Sequence, residues 1–296
     1  MNLQTRTDAV RYMVTHRTRY EFDQEVFLEP HLLRFYPRSS ARLQTLTHAL
    51  SISPPPAGQA VVEECTGSIA QSCWFDGTHR LLEITAKFTV SLTHRNPFSF
   101  LIYPSENFEL PVRYEKECGA LLTPSLATSP LPDALIRFVN DQKAAAKQQT
   151  VPFIMALTDA ISRHCQVVIR EEGPPHAPEA TFRMQEGSCR DLAWLQIHLL
   201  RNVGIAARFV SGYFYLEAEE PSWELHAWVE AYVPGAGWFG VDPSHGIACA
   251  PGHIPIAASP FPEQTLPVSG TYRGAATSHL SHQIMIHRFD ERSTST

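Results

Sequence analysis

The segment CRDLAWLQIHLLRN, residues 189–202, constrains the fold of this chain more than any other. Read as a helix, it is apolar nearly all round, through Leu192, Ala193, Trp194, Leu195, Ile197, Leu199 and Leu200. A helix without a polar face belongs in the centre of a domain, with other layers packed around it. Gly204 stands where its C-terminal cap is expected. After it come strand-like runs, IAARFVSGYFYL, then ELHAWVEAYV, a PGAG turn and WFGVD. Before it, PDALIRFVNDQKAAAKQ and TVPFIMALTDAISRHC carry apolar residues at three- and four-residue spacing and begin at Pro or Thr, as helices do. Helices followed by sequential strands predict an α+β domain.

Residues 10–115 have a different period. VRYMVTHRTRYEF and LLEITAKFTVSLTH alternate as strands, and SISPPPAG and FDGT break the runs between them. This predicts an antiparallel β-sandwich-like domain over 1–120. LLTPSLATSPLP, rich in Pro, Ser and Thr, reads as a linker over 121–132. The α+β domain then fills 133–296, with a C-terminal extension whose SHQIMIHRF reads as a late strand. A chain of 296 residues is long for one hydrophobic core and comfortable for two domains.

The composition excludes some functions. A net charge of −6, spread along the chain without a basic run, argues against a nucleic-acid partner. No apolar stretch reaches the roughly 18 residues of a membrane span, and MNLQTRTDAVRYMVTHRTRYEFD contains no leader-like run. The expectation is a cytoplasmic protein without a membrane partner. Six scattered cysteines with no C-x-x-C pair fit that compartment, and most read as small buried hydrophobes.

Cys189 is the exception, because it opens the central helix directly after EGS. The free amide N–H groups and dipole of a helix N-terminus favour an anion, which suits a nucleophilic thiolate and a developing oxyanion. His226 lies on the strand LHAWVEAYV. Alternation puts Leu225, Ala227, Val229, Ala231 and Val233 on the core face and His226, Trp228, Glu230 and Tyr232 on the other, more polar or cleft-facing side. Asp242 ends the next strand and begins a D-P-S turn. As the third member of a Cys–His–Asp set it would accept Nδ1–H of His226. Register tests this: a regular four-residue PGAG loop would put His226 and Asp242 on opposite faces. The set requires an odd loop or a bulge near Gly235–Gly237.

GSCRDLAWLQIHLLRNVGIAARFVSGYFY followed by HAWVEAYVPGAGWFGVDPSHG resembles the core of bacterial transglutaminase-like proteins. The family pattern runs G-x-C-R-D, then R-x-x-G-I-x-A-R-F-V-S-G-Y, H-A-W-v-E-x-y-x-P-G-x-G-W and D-P. The N-terminal half, with Tyr12, His16, Thr18, Tyr20 and HLLRFYPR, resembles the β-rich domain that precedes this core in many bacterial members. The resemblance is strong over 185–246 and moderate over 10–100. It implies a papain-like core in which Cys189 is the nucleophile, His226 the general acid and base, and Asp242 the orienting carboxylate. It also implies no metal or other cofactor, and a protein or peptide substrate. The reaction implied is acyl transfer through a thioester, with hydrolysis by a protease or amidase favoured over amine-accepting transglutamination. A non-enzymatic interaction protein that retains the fold is the rival outcome.

Some positions stay open at this level. Ser244 stands where the family often has Thr. Gln185 is a candidate oxyanion donor by proximity alone, and Trp223 a candidate substrate contact. Arg190 and Asp191 fit either catalysis or an ion pair supporting the helix start. Trp223, Trp228, Trp238 and Tyr213 fit either a peptide cleft or core packing. His245, Cys249 and His253 have the residue types of a zinc site, but Pro251 and Gly252 deny them a shared helix face.

Overall fold

A computed structural model describes residues 9–93, 96–170 and 173–290. The first eight residues of the stretch MNLQTRTDAVRYMVTHRTRYEFD therefore lie outside the described residues.

Six strands come first: β1 (Ala9–Leu28), β2 (His31–Leu33), β3 (Leu43–Ser53), β4 (Gly58–Glu63), β5 (Ile69–Trp74) and β6 (His79–Thr93). The helical half holds α1 (Lys116–Leu126), α2 (Asp133–Ala145), α3 (Thr150–His164), the short strand β7 (Gln166–Val167), α4 (Pro178–Met184), β8 (Glu186–Gly187) and α5 (Cys189–Asn202). Strands β9 (Ala207–Leu216), β10 (Ser222–Val233), β11 (Gly237–Asp242), β12 (Ile247–Ala248) and β13 (His253–Ser259) follow. The chain closes with β14 (Val268–Ser269), β15 (Tyr272–Arg273) and β16 (Ser278–Asp290). Among the described residues no helix is long and apolar enough to cross a membrane.

The architecture is α+β. In the N-terminal half, β3, β6 and β1 form one antiparallel sheet and β4, β5 and β2 a second. Their inner faces meet through Phe22, Leu28, Leu33, Phe35, Phe75 and Ile84, which makes the sandwich. The long alternation in β1 reflects this, since every second residue from Val10 to Thr18 is buried. In the second half, the antiparallel sheet β12-β11-β10-β9-β13 packs on α5 through Ala227, Val229, Ala231 and Val233. Leu192, Ala193, Leu195, Ile197, Leu199 and Leu200 of α5 have no exposed surface, as its all-round apolar character requires. Gly204, at φ 82°, turns the chain out of α5.

Two domain expectations are corrected. Residues 121–126, read as linker, complete α1; burial of Leu122 and Ser125 outweighs the backbone bond that Pro124 cannot donate. The C-terminal segment does not simply extend the core. β16 pairs with β1 along its whole length, β15 also pairs with β1, and β14 pairs with β2. These strands cover an edge of each N-terminal sheet that would otherwise lie open. The two halves also share a core: Val10, Tyr12, Val14 and Ile286 pack with Tyr213, Ile254 and Ile256. A 2.8 Å hydrogen bond between His16 Nδ1 and the Tyr213 hydroxyl crosses the same boundary.

The β10–β11 connection is decisive for the site. Val233 pairs with Gly237, so the loop has three residues, Pro234–Ala236, an odd number. Continuing that register puts Asp242 opposite Trp228, on the face that carries His226. Gly235 sits at φ 87°, and a Cβ there would lie 2.1 Å from the Leu101 carbonyl oxygen and 2.7 Å from the Tyr103 nitrogen. Gly235→Ala therefore combines a disfavoured φ with a backbone clash. It is expected to cost about 1–3 kcal/mol, read as a lowered denaturation midpoint. An unchanged midpoint would show that the loop yields freely.

Candidate active site

Cys189 is the first residue of α5 and is partly exposed. The start of that helix is built around Asp191, which is fully buried. Its carboxylate accepts Ser188 N–H at 2.8 Å, Ser188 Oγ–H at 2.6 Å, His176 N–H at 2.7 Å and Arg170 Nη2–H at 2.6 Å. Burial works against its charge, but these bonds prevail and hold the carboxyl below its usual range. Asp191 and Leu192 donate their amides to the Ser188 carbonyl, which closes the first turn of the helix directly behind Cys189. Of the two roles open for Asp191, the geometry is that of the helix-start ion pair. Arg190 likewise donates to Ser188 Oγ and to the Arg170 carbonyl. Asp191→Ala would leave a buried guanidinium contact and several donors unpaired. A loss of about 3–5 kcal/mol in chemical denaturation is expected, and a loss below 1 kcal/mol would refute this assignment.

His226, on β10, is 2% exposed, and Asp242, at the end of β11, has no exposed surface. The face expected to be polar or open is covered, because His245, His253 and Cys249 pack over His226 and Trp228. His226 Nε2–H donates to Asp242 Oδ2 at 2.9 Å. This corrects the expected Nδ1 pairing. Asp242 lies diagonally across the sheet, two positions along from His226, and the distal ring nitrogen spans that offset. Nδ1, the nitrogen nearer the backbone, is left for the helix end.

Cys189 lies near enough to His226 to favour its protonated form, while His226 Nδ1 itself makes no hydrogen bond. Glu224, on the same face of β10, places Oε1 2.8 Å from Nδ1, at an angle that makes no hydrogen bond. Burial pushes the His226 pKa down, but Asp242, Cys189 and Glu224 outweigh it and raise the pKa well above the usual imidazole range. Removing the Glu224 charge withdraws one of these supports. In Glu224→Gln, the pH profile of Cys189 alkylation is expected to shift its His226-dependent limb to lower pH. A profile that coincides with wild type would remove Glu224 from the site.

Asp242 has more partners than a triad requires. Its Oδ2 also accepts His245 Nδ1–H at 2.8 Å and His253 Nε2–H at 3.1 Å, and its Oδ1 accepts Ser244 N–H at 2.9 Å. Burial alone would raise its pKa; the three imidazoles and the charge of His226 hold it well below the ordinary carboxylate range. His253 is fixed in one tautomer, since its Nδ1 accepts Ala250 N–H at 3.2 Å. Among the described residues, the side chains close enough to share a metal ion are His226, Asp242 and His253, with ligand atoms within 4.8 Å of one another. This is a different set from His245, Cys249 and His253.

The remaining sequence candidates lie elsewhere or serve other ends. Gln185 is exposed at φ 54° and caps α4 with its main chain, whose carbonyl also accepts Gln166 N–H. Trp223 donates Nε1–H to the Ile284 carbonyl and stacks on Tyr215, which ties it to the N-terminal sheet. Tyr213 and Trp228 are buried, and Trp238 lies under the Arg208 guanidinium, 3.9 Å away. For Tyr213 core packing is the outcome. Sequence reading passed over Glu224, which period-two alternation already put on the His226 face. It also did not connect His245 and His253 with Asp242, because the loop that folds them back has no period.

Residues 137–243 match the model of the transglutaminase-like superfamily, and residues 12–91 that of the bacterial transglutaminase-like N-terminal region. An uncharacterized protein of Mycobacterium tuberculosis is 28% identical over 254 residues, spanning 79% of this chain and 79% of its own. A protein-glutamine gamma-glutamyltransferase of Pseudomonas aeruginosa is 36% identical over 76 residues, which are 23% of this chain and 11% of that protein. A solved structure described as a "Putative Cysteine Protease" from Cytophaga hutchinsonii covers 98% of this chain and 93% of its own with a TM-score of 0.70. At 17% identity, that likeness is one of fold.

Proposed function

We propose, for a chain that carries a transglutaminase-like superfamily core behind a bacterial transglutaminase-like N-terminal region, that Cys189, His226 and Asp242 perform acyl transfer on a peptide or glutamine-type amide. The observation that carries this reading is the His226–Asp242 bond at 2.9 Å, with Cys189 at the start of a buried helix and acting on the same imidazole. His226 Nδ1 takes the thiol proton, and the sulfur attacks the carbonyl carbon to form the S–C bond. The oxyanion that develops meets the positive N-terminal end of the α5 dipole. His226 returns its proton to the leaving nitrogen as the C–N bond breaks, which leaves a thioester on Cys189. Water, activated by the same imidazole, then releases a carboxylic acid and restores the thiol. An amine in place of water would yield a new amide. Hydrolysis is the favoured outcome, with Asp242 holding the ring in orientation throughout.

The test is mass spectrometry of the protein incubated with a glutamine-peptide library, with and without a primary amine. An adduct on Cys189 that is resolved to acid supports hydrolysis, and one resolved to amide supports amine transfer. A non-enzymatic scaffold would form no adduct and would leave Cys189 no more reactive toward iodoacetamide near pH 6 than the other cysteines. That result would overturn the proposal.

A further inference from the structure

A second concave site lies away from Cys189. A cleft of about 470 Å³ opens between residues 38–43 of the N-terminal half and the outer face of the β10–β11 hairpin. This is within the size range of small-molecule sites, and junctions between structural layers are where such sites concentrate. Neither Cys189 nor His226 lines it.

Its charges do not balance. Arg38, Arg42 and Arg208 reach the cleft, and Glu230 is the carboxylate among its lining residues. Glu230 is shared: Arg208 binds its Oε2 at 2.6 Å, and Arg38 approaches the same oxygen at 3.6 Å. Among the described residues Arg42 has no acidic partner. A guanidinium surplus in a concavity with low-dielectric walls creates a focused positive potential, which an anion relieves. The remaining wall is aromatic and held in place, with Trp238 beneath Arg208 and Trp228 buried behind.

We propose that this cleft binds a small organic carboxylate, its anionic end toward Arg42 and Arg38 and a flat apolar body toward the aromatic wall. Guanidinium groups recognise carboxylates in this way, and the apolar wall rewards a ligand larger than a bare ion. The site communicates with the triad. His253 lines the cleft and donates Nε2–H to Asp242 Oδ2 at 3.1 Å, so an occupant meets a residue that holds the proposed orienting carboxylate.

Tryptophan fluorescence reads occupancy directly, because Trp228 and Trp238 line the cleft. The full chain is titrated with phenylacetate, with its neutral analogue phenylacetamide and with a tetrapeptide ending in phenylalanine, in wild type and in Arg42→Ala. Arg42 is exposed and outside the triad, so its loss leaves the fold in place. The expected result is a saturable change with phenylacetate, at least about tenfold weaker in Arg42→Ala and absent with phenylacetamide. A response to the tetrapeptide as well would identify a peptide C-terminus as ligand, and a response to phenylacetate alone a free acid. No saturable change with either carboxylate, or equal affinity for phenylacetamide or in Arg42→Ala, would overturn the site. Binding is read without turnover, so a catalytically inert Cys189 leaves this test unaffected.

Discussion

Replacing Cys189 with alanine is expected to abolish the covalent adduct with glutamine peptides and to lower acyl transfer by roughly 10⁴-fold or more. The sulfur forms the new bond in the proposed mechanism, so its removal removes the step itself. Asp242 is fully buried and accepts His226 Nε2–H, so its carboxylate is not a substitute nucleophile. The fold should survive, because the cysteine is partly exposed and the α5 start rests on Asp191 and Ser188. The measurement is paired: intact-mass analysis for the adduct and thermal denaturation for the fold. A Cys189→Ala protein that retains full activity would end the thioester reading. One that is unfolded would show that the cysteine belongs to the packing of the helix start.

The Asp242→Asn variant should lose about 10³- to 10⁴-fold in adduct formation while keeping Cys189 in place. The asparagine supplies one acceptor oxygen and an amide that can only donate, where the wild type presents a carboxylate to three imidazoles and the Ser244 amide. Some ring N–H must then face an N–H, and His226 loses the bond that fixes its tautomer. The effect on stability carries a pH signature. Asp242 has a depressed pKa in the fold, so its stabilisation is complete above the ordinary carboxylate value near about 4 and is lost as pH falls through the folded value. His226 has a raised pKa, so its stabilisation is complete below the ordinary imidazole value near about 6.5 and is lost as pH rises through the folded value. Urea denaturation should therefore show the widest gap between wild type and Asp242→Asn from roughly pH 4 to 6.5. A gap that stays constant from pH 4 to 9 would mean that the pair is not held charged.

The extra partners of Asp242 set this site apart from three residues in isolation. Each of His226, His245 and His253 gives an N–H to the same oxygen, which fixes the carboxylate from several directions. Two of these imidazoles arrive on the segment after β11, and His253 reaches onward to the cleft lined by Arg42 and Trp238. The fixing of the Asp242 carboxylate, the proposed orienting residue, and its link to a second concavity therefore have the same structural source.

Much of this was legible in the residues because it is local. An all-round apolar helix must be buried, and α5 is. Period-two alternation over Ala227, Val229 and Ala231 marks a face that packs on a helix, and it does. The odd loop after Val233 was one of two connections that parity allows: side chains alternate strictly along paired strands, so His226 and Asp242 share a face only if the connection is odd or carries a bulge, and it is odd. These conclusions use only the intrinsic geometry of helices and strands.

What the sequence could not decide depends on groups far apart in the chain. Which nitrogen of His226 meets Asp242 is set by the diagonal offset between two strands. Whether the outer face of β10 is open or covered is set by where the segment carrying His245, Cys249 and His253 lands. That β16 completes the sheet begun by β1 is a pairing between the two ends of the described chain, and no local pattern records a pairing partner. Asp191 shows the same division within one residue. Its place in the first turn of α5 is a sequence fact, but its role as the buried anchor of Arg170 and His176 exists only once the preceding loop has folded over the helix. Local periodicity determines elements and faces, because it acts through the backbone geometry of neighbouring residues. Partners, tautomers and coverage are settled only when the tertiary fold brings distant side chains within hydrogen-bonding distance.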